Sequence, residues 1–341
     1  MTGSMSFAQI TINANDIIGF GESIELTYDT IPTIAHAPAG TDQTWNYSGL
    51  LNSHTSENFG FGAPSWYPGS SEFPNATLAS YEPVSNSTLF IDKTEDAMDI
   101  LGVFGDLAGT GTNQSIVFDP YDRLITFPST FGTEYFNTFE LNFTIDGAAF
   151  SADSVVIQNT TDKTSIMDSW GTITTPFGTF EVIRQYVYEA STTIVDAYLF
   201  GGSVFNNTEV EETHTYVFWT NDGVSRYSVL EYTYDPASDL VLEVIWQSGA
   251  PILSLEEEGA AISSIKIYPN PASDLLTIES GLDGAFNVEI VDGLGRAVFF
   301  GEINESMNTL SVDELKNGIY TMRLTNINTQ ETSVKRFIVQ H

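Results

Sequence analysis

Cysteine is absent from the 341 residues, so no disulfide, thiolate metal site or cysteine nucleophile can form. Cations are almost as scarce. Eleven Lys and Arg face 45 Asp and Glu, for a formal net charge of −34 and a pI near 4.1. The deficit is uneven: residues 1–262 hold 35 acidic and 5 basic side chains, residues 263–341 only 10 and 6. A body so poor in Lys and Arg repels nucleic acid and anionic lipid, which rules out a nucleic-acid partner. Its acidity reads first as a solvated surface and second as an attraction for calcium or cationic partners. Histidine is limited to His36, His54, His214 and His341, and no Gly-x-Ser-x-Gly elbow surrounds any serine. No glycine loop of nucleotide-binding type precedes a helix. No run of eighteen apolar residues occurs, so there is no transmembrane helix.

Apolar and aromatic residues are present in quantity, at 42% and 13% of the chain, enough for a packed core and weighted towards strands. From Ile10 to about Thr164 short strands alternate with long turns. Ser23–Tyr28 alternates polar and apolar, as a half-buried strand does. Between Pro32 and Pro83 turn clusters of Gly, Pro and Ser carry many aromatics, among them Trp45, Trp66 and Tyr67. Such rings either anchor loops to the core or stack on a ligand, and these three are the candidate ligand-binding residues. Asp92, Glu95, Asp96 and Asp99 form an acidic knot, the one place calcium is considered, although the usual loop with a central Gly is missing.

Ser169–Gln247 reads as an antiparallel meander. Thr175-Pro176-Phe177-Gly178 and Asn221-Asp222-Gly223 supply hairpin turns, the second expected to join strands at Thr215–Thr220 and Val224–Tyr232. The helix-leaning stretches are Glu95–Gly102 and Ser311–Leu315. The expected fold is therefore all-β, with a large antiparallel domain (a sandwich or a curled half-barrel meander) over residues 10–250. An acidic linker follows at 251–262, and a small immunoglobulin-like sandwich at 263–341. Residues 1–9 lack a basic and apolar lead, yet Ser6-Phe7-Ala8 before Gln9 reads as the end of a signal peptide left by a shortened precursor.

Chemistry is thinly represented. A metal site can be assembled on paper from His36, His54 and Glu57, but no spacing supports it. A carboxylate pair of the glycosidase kind requires only about 5–9 Å in space, so 45 acids leave it open. No catalytic residue is assigned.

The tail is more specific. Tyr268-Pro269-Asn270-Pro271 opens it, followed by Asp292-Gly293-Leu294-Gly295-Arg296 and then Asn317-Gly318-Ile319-Tyr320-Thr321-Met322-Arg323-Leu324. Lys335-Arg336-Phe337-Ile338-Val339 ends it. In this order the four motifs resemble the type A C-terminal sorting domain that Bacteroidota use for type IX secretion. The resemblance covers Ser263–His341 and singles out Tyr268, Pro269, Asn270, Pro271, Asp292, Gly295, Arg296, Gly318, Tyr320, Arg323, Lys335 and Arg336. It implies Sec export, recognition by the outer-membrane translocon, removal of the tail by a sorting peptidase, and an extracellular or cell-surface product. The Trp170–Val182 hairpin looks like a recurring uncharacterised β domain in such cargo and brings no activity with it. The body is then expected to be a non-catalytic binding or adhesion domain, with a glycan on Trp45, Trp66 and Tyr67 or an apolar molecule inside a curled sheet as ligand. The alternatives are a secreted hydrolase using two carboxylates and a structural component of the cell surface.

Overall fold

The computed structural model describes residues 9–51, 56–82, 85–107, 109–249, 265–279, 285–292, 296–303, 307–327 and 332–341. The expected signal-peptide remnant up to Ala8, the expected linker at 251–262, His54 and Gly293–Gly295 lie outside the described residues. Two compact units emerge, a large one within residues 1–252 and a small one that takes in residues 253–341.

The large unit is one continuous sheet. Its first strands are β1 (Ser23–Asp29), β2 (Gly40–Asn46), β3 (Ser56–Gly62), β4 (Leu78–Glu82), β5 (Ser87–Lys93) and β6 (Ala97–Gly105). Longer ones follow: β7 (Gln114–Thr126), β8 (Glu134–Asp146), β9 (Ser154–Thr174), β10 (Thr179–Leu199) and β11 (Gly202–Trp219). β12 (Leu230–Asp235) and β13 (Leu240–Gln247) complete the set. Neighbours run β10-β11-β12-β13-β1-β3-β4-β5-β6-β7-β8-β9, and β9 pairs in turn with β10, so twelve strands close into a barrel-like ring. Closure removes the unpaired edges that a curled meander would leave. β2 stays outside the ring, parallel to the second half of β9.

Where β2 meets β9 a side chain is excluded. A Cβ on Gly171 would stand 2.0 Å from the carbonyl oxygen of Gln43. The glycine lets the two backbones touch, and this brings the excursion between β1 and β3 down onto the outer face of β9–β13. There Trp45, Tyr47 and Leu50 join Ile173, Phe218, Tyr232 and Trp246 in a buried layer. Arg184, 0% exposed, pins the layer by binding both oxygens of Asp168 at 2.8 Å and the carbonyl of Ala37 at 2.6 Å. Its guanidinium lies 4.8 Å from the Tyr216 ring centre and 5.9 Å from that of Trp45.

Local expectations fare unevenly. The Thr175–Gly178 turn closes with Thr175 N donating to Gly178 O at 2.8 Å, and β9 and β10 pair on either side of it. Glu95–Gly102 is not helical: Ala97 onward is β6, whose first residues Ala97 and Met98 are buried and which pairs with β5 and β7, so tertiary pairing overrides a weak helical preference. The stretch after Asn221 does not return directly. Residues 220–229 form a long connection, and β12 begins only at Leu230. Ser225 accounts for part of this by donating to Gln247 Oε1 at 2.6 Å, which holds the chain away from ladder geometry.

The small unit has two sheets. One orders β14 (Lys266–Tyr268), β15 (Leu275–Glu279) and β18 (Met307–Ser311). The other orders β17 (Ala297–Ile303), β16 (Phe286–Val291), β19 (Gly318–Asn326) and β20 (Thr332–Val339). Leu276 and Ile278 from the first share a core with Val288, Ile290, Met322, Leu324 and Phe337 from the second, making a two-layer sandwich.

Candidate functional site

The inner face of the ring is built by alternation, since every second residue of a strand points to the same side. Ile24, Leu26 and Tyr28 of β1 face in, as do Phe59 and Phe61 of β3, Ser80 and Glu82 of β4, and Leu89 and Ile91 of β5. With Met98, Leu124, Glu231, Ile245 and the loop residues Tyr227 and Ser228 they bound a cavity of about 190 Å³. The walls are aliphatic and aromatic, and carboxyl, phenol and hydroxyl groups break them at a few points. Such a combination is characteristic of small-molecule sites.

The polar groups here are unusually placed. Ser80 is 2% exposed, and its hydroxyl has no hydrogen-bond partner among the described residues. One carboxylate oxygen of Glu57, on the inner side of β3 opposite Leu26, is likewise buried without a hydrogen bond. Burial lifts the Glu231 carboxyl to about 7; Lys163 pulls the other way, and the carboxylates of Glu243 and Glu189 add to the rise. The phenols of Tyr28 and Tyr227 are also pushed up, first by burial and then by the surrounding carboxylates, Glu57 and Glu82 leading at Tyr28 and Glu231 leading at Tyr227. Glu231 retains some accessible surface because it borders the cavity.

Beyond Leu124 the lumen is filled by a saturated polar layer. Lys163, 6% exposed, bonds to Asp122 and lies 2.9 Å from Glu189. Burial alone would lower its ammonium pKa, but the two acids outweigh that and keep it charged. Tyr135 donates to the Leu124 carbonyl at 2.9 Å. Gln185 donates to Ser165 Oγ at 2.8 Å and accepts from Trp219 Nε1 at 2.6 Å. Every group in this layer has a partner, unlike the cavity next to it.

A second concavity, of about 840 Å³, lies on the outer layer and is lined by residues 29–37 and 44–51, including His36 and Trp45. Trp45 is 4% exposed, edge-on to Phe218 at 5.1 Å. Trp66 closes a short 3-10 segment, and Tyr67 packs against Phe73, Ala79 and Phe90. Trp45 thus sits in the outer core layer, and Tyr67 adjoins a different cluster. His36 stacks on Tyr234 at 4.1 Å and bonds to Tyr232, while Glu57 faces the lumen, so the paper metal site does not assemble around them. In the acidic knot Asp92 and Asp99 sit opposite each other on β5 and β6, and Asp99 is clamped by Arg123 at 2.8 and 2.9 Å. Among the described residues no group of three or more His, Cys, Asp or Glu could hold a metal ion. The cavity residues were not legible in the sequence because β1 pairs with β13 from the far end of the body and with β3 across the β2 excursion; the alternation of Ser23–Tyr28 was the available signal.

In the small unit the motif residues do structural tasks. Asn270 accepts from Ile338 N at 2.8 Å and ties the Tyr268–Pro271 turn to β20. Tyr268 ends β14, and Pro269 and Pro271 both follow cis peptide bonds. Asp292 takes Arg296 through its side chain at 2.9 and 2.6 Å and through its backbone at 3.1 Å. Gly318 starts β19, and Tyr320, buried, donates to Lys316 O at 2.8 Å and stacks on Phe337. Arg323 of β19 lies opposite Val334, and Lys335 and Arg336 of β20 lie opposite Met322 and Thr321. Gly295 lies outside the described residues.

Comparison with known proteins places this unit. Residues 266–340 match the family described as the secretion system C-terminal sorting domain. The protein is thus a type IX secretion cargo, exported to the cell surface or the extracellular space, and its tail engages the type IX machinery. An endo-acting ulvan lyase of Formosa agariphila is 30% identical over 96 residues, which is 28% of this chain and 19% of the lyase. The chain therefore spans about a fifth of that relative's length. A solved chain from a study of PorZ, an essential surface component of the type IX secretion system of Porphyromonas gingivalis, is 9% identical with a TM-score of 0.21. That match covers 74% of this chain and 51% of the other. A score that low does not establish a common fold.

Proposed function

We propose that the body, over residues 10–250, is a secreted small-molecule-binding β-barrel, non-catalytic, carried outward by a small immunoglobulin-like sorting domain at 263–341. The observation that carries the reading is the lumen cavity: apolar walls, an unpartnered buried hydroxyl at Ser80 and a half-buried carboxyl at Glu231, beside a polar layer that is fully satisfied. A folded protein gains nothing from leaving Ser80 unpaired at this position, whereas a ligand would pair it. The volume suits a molecule of about one ring, since a cavity of about 150 Å³ holds benzene. This favours the apolar-ligand version over a glycan on Trp45, Trp66 and Tyr67, whose rings do not share a cleft. In the tail, the motif residues from Tyr268 to Arg336 act by shaping the folded unit that the translocon and sorting peptidase recognise.

The test is a thermal-shift and calorimetric screen of the whole protein against neutral, cationic and anionic one-ring molecules. Binding is expected to vanish in Leu89→Trp, which fills the cavity from β5. If no molecule of the screen raises the melting temperature, the reading fails.

A second reading, hydrolysis or other cleavage of a glycan through two carboxylates, has one observation in its favour. A carboxyl held near 7, as Glu231 is, suits a general acid. A cavity of about 190 Å³ is too small for a polysaccharide, however. Purified protein incubated with ulvan and other algal polysaccharides is expected to release no new reducing or unsaturated ends. Release that disappears in Glu231→Gln would reverse the order of the two readings.

A further inference from the structure

The cavity's charge balance goes beyond a merely apolar ligand. Glu82 of β4, Glu231 of β12 and the phenols of Tyr28 and Tyr227 line it, and no basic residue does. Glu57 of β3 and Glu243 of β13 stand close enough to act on Tyr28. The cation whose charge reaches Glu231 is Lys163 of β9, and it is already committed to Asp122 and Glu189. The lumen thus carries an excess of negative charge that nothing among the described residues balances, within a wall of low polarity where an unbalanced charge is costly.

A metal ion does not answer that excess. Divalent cations need several converging oxygen ligands, and no group of three or more acidic or His side chains converges among the described residues. The remaining wall is aliphatic and aromatic, and its rings, Phe59, Phe61 and the two tyrosines, attract an organic cation while the aliphatic side chains cover an apolar body. Ser80 adds an independent pointer, a nine-tenths buried hydroxyl without a partner, on the same strand and the same face as Glu82. It can accept one N–H of an ammonium group while Glu231 supplies the counter-charge.

We infer that the lumen cavity takes a small organic cation, a protonated amine on an apolar body of about one ring, with the ammonium held between Glu231, Glu82 and Ser80 and the ring against Phe59 and Phe61. The inference rests on the proposed binding function and adds the chemical class of the ligand.

The experiment titrates the full chain, by calorimetry at pH 8 and pH 6, with 2-phenylethylammonium, its neutral analogue 2-phenylethanol and the anion phenylacetate. The cation is expected to bind most tightly at pH 8. Its affinity should fall about tenfold at pH 6, because Glu231 then holds a proton that the ligand must displace. Glu243, Glu82, Glu57, Glu189, Lys163, Tyr28 and Tyr227 are the charged and titratable groups that surround that proton. Glu231→Gln is expected to abolish both the preference for the cation and the pH dependence. Should that variant not fold, Ser80→Ala is expected to weaken the cation about fivefold through one lost hydrogen bond. If the alcohol or the carboxylate binds as tightly as the ammonium at pH 8, the charge assignment is overturned while the cavity reading stands. If none of the three binds, both are overturned. Cation affinity unchanged by Glu231→Gln and by Ser80→Ala would also sink the inference, by placing the ligand elsewhere.

Discussion

Glu231 and Arg184 show how opposite burials behave. The Glu231 carboxyl moves from 4.5 to about 7 on folding, so the folded state binds a proton more tightly than the unfolded chain. For such a group there is no penalty below about pH 4.5; the penalty grows as pH rises and is complete above about 7. At 1.36 kcal/mol per pH unit this amounts to roughly 3 kcal/mol. Urea melts of Glu231→Gln against the parent are therefore expected to coincide near pH 4.5 and to favour the variant by up to about 3 kcal/mol at pH 8. Arg184 is buried with every partner in place: Asp168, the Ala37 carbonyl and two rings. Arg184→Ala strands Asp168 and releases the outer layer, and is expected to cost about 3–5 kcal/mol in the same melts.

Two features act at the scale of elements. Gly171 permits the parallel contact of β2 with β9, so Gly171→Ala forces the Gln43 backbone away. The variant is expected to lose amide-exchange protection in Gly40–Asn46 first, with the ring strands unchanged, and to lose more than about 1 kcal/mol overall. The second feature is the long β10–β11 hairpin. β11 pairs with β12 only through His214–Phe218, so its first twelve residues bond to β10 alone and leave their other edge open. Glu209, Glu211 and Glu212 lie along that edge, charges that resist edge-to-edge association. Alternate amides of Ser203–Thr213 are expected to exchange rapidly, while Ile194–Ala197 of β10, bonded to both β9 and β11, stay protected.

At the scale of the whole molecule, transport and task are separated into two cores. Deleting residues 266–341 is expected to abolish delivery to the cell surface or medium in a host with type IX machinery. Cell fractionation by immunoblot checks it; the same fractionation should find residues 266–340 sufficient to export a fused periplasmic reporter. The contrast in charge fits this division. The body holds nearly all of the surplus negative charge, while the sorting unit, at 10 acids to 6 bases, is close to balanced.

The sequence by itself determined the β class, the turn at Thr175–Gly178 and the sorting tail. Each rests on residues close together in the chain: alternation, a Pro-Gly turn, and motifs a few residues long in a set order. It also determined what the body cannot use, since missing cysteines and cations need no folding to be counted. Closure of the meander, through the pairing of β13 with β1 from opposite ends of the body, and the place of Trp45 in an outer layer came from tertiary structure alone. It alone brought Ser80, Glu82 and Glu231 around one cavity. Ser80 and Glu82 share β4 while Glu231 lies on β12, far along the chain, and their convergence depends on register and closure, which long-range pairing sets.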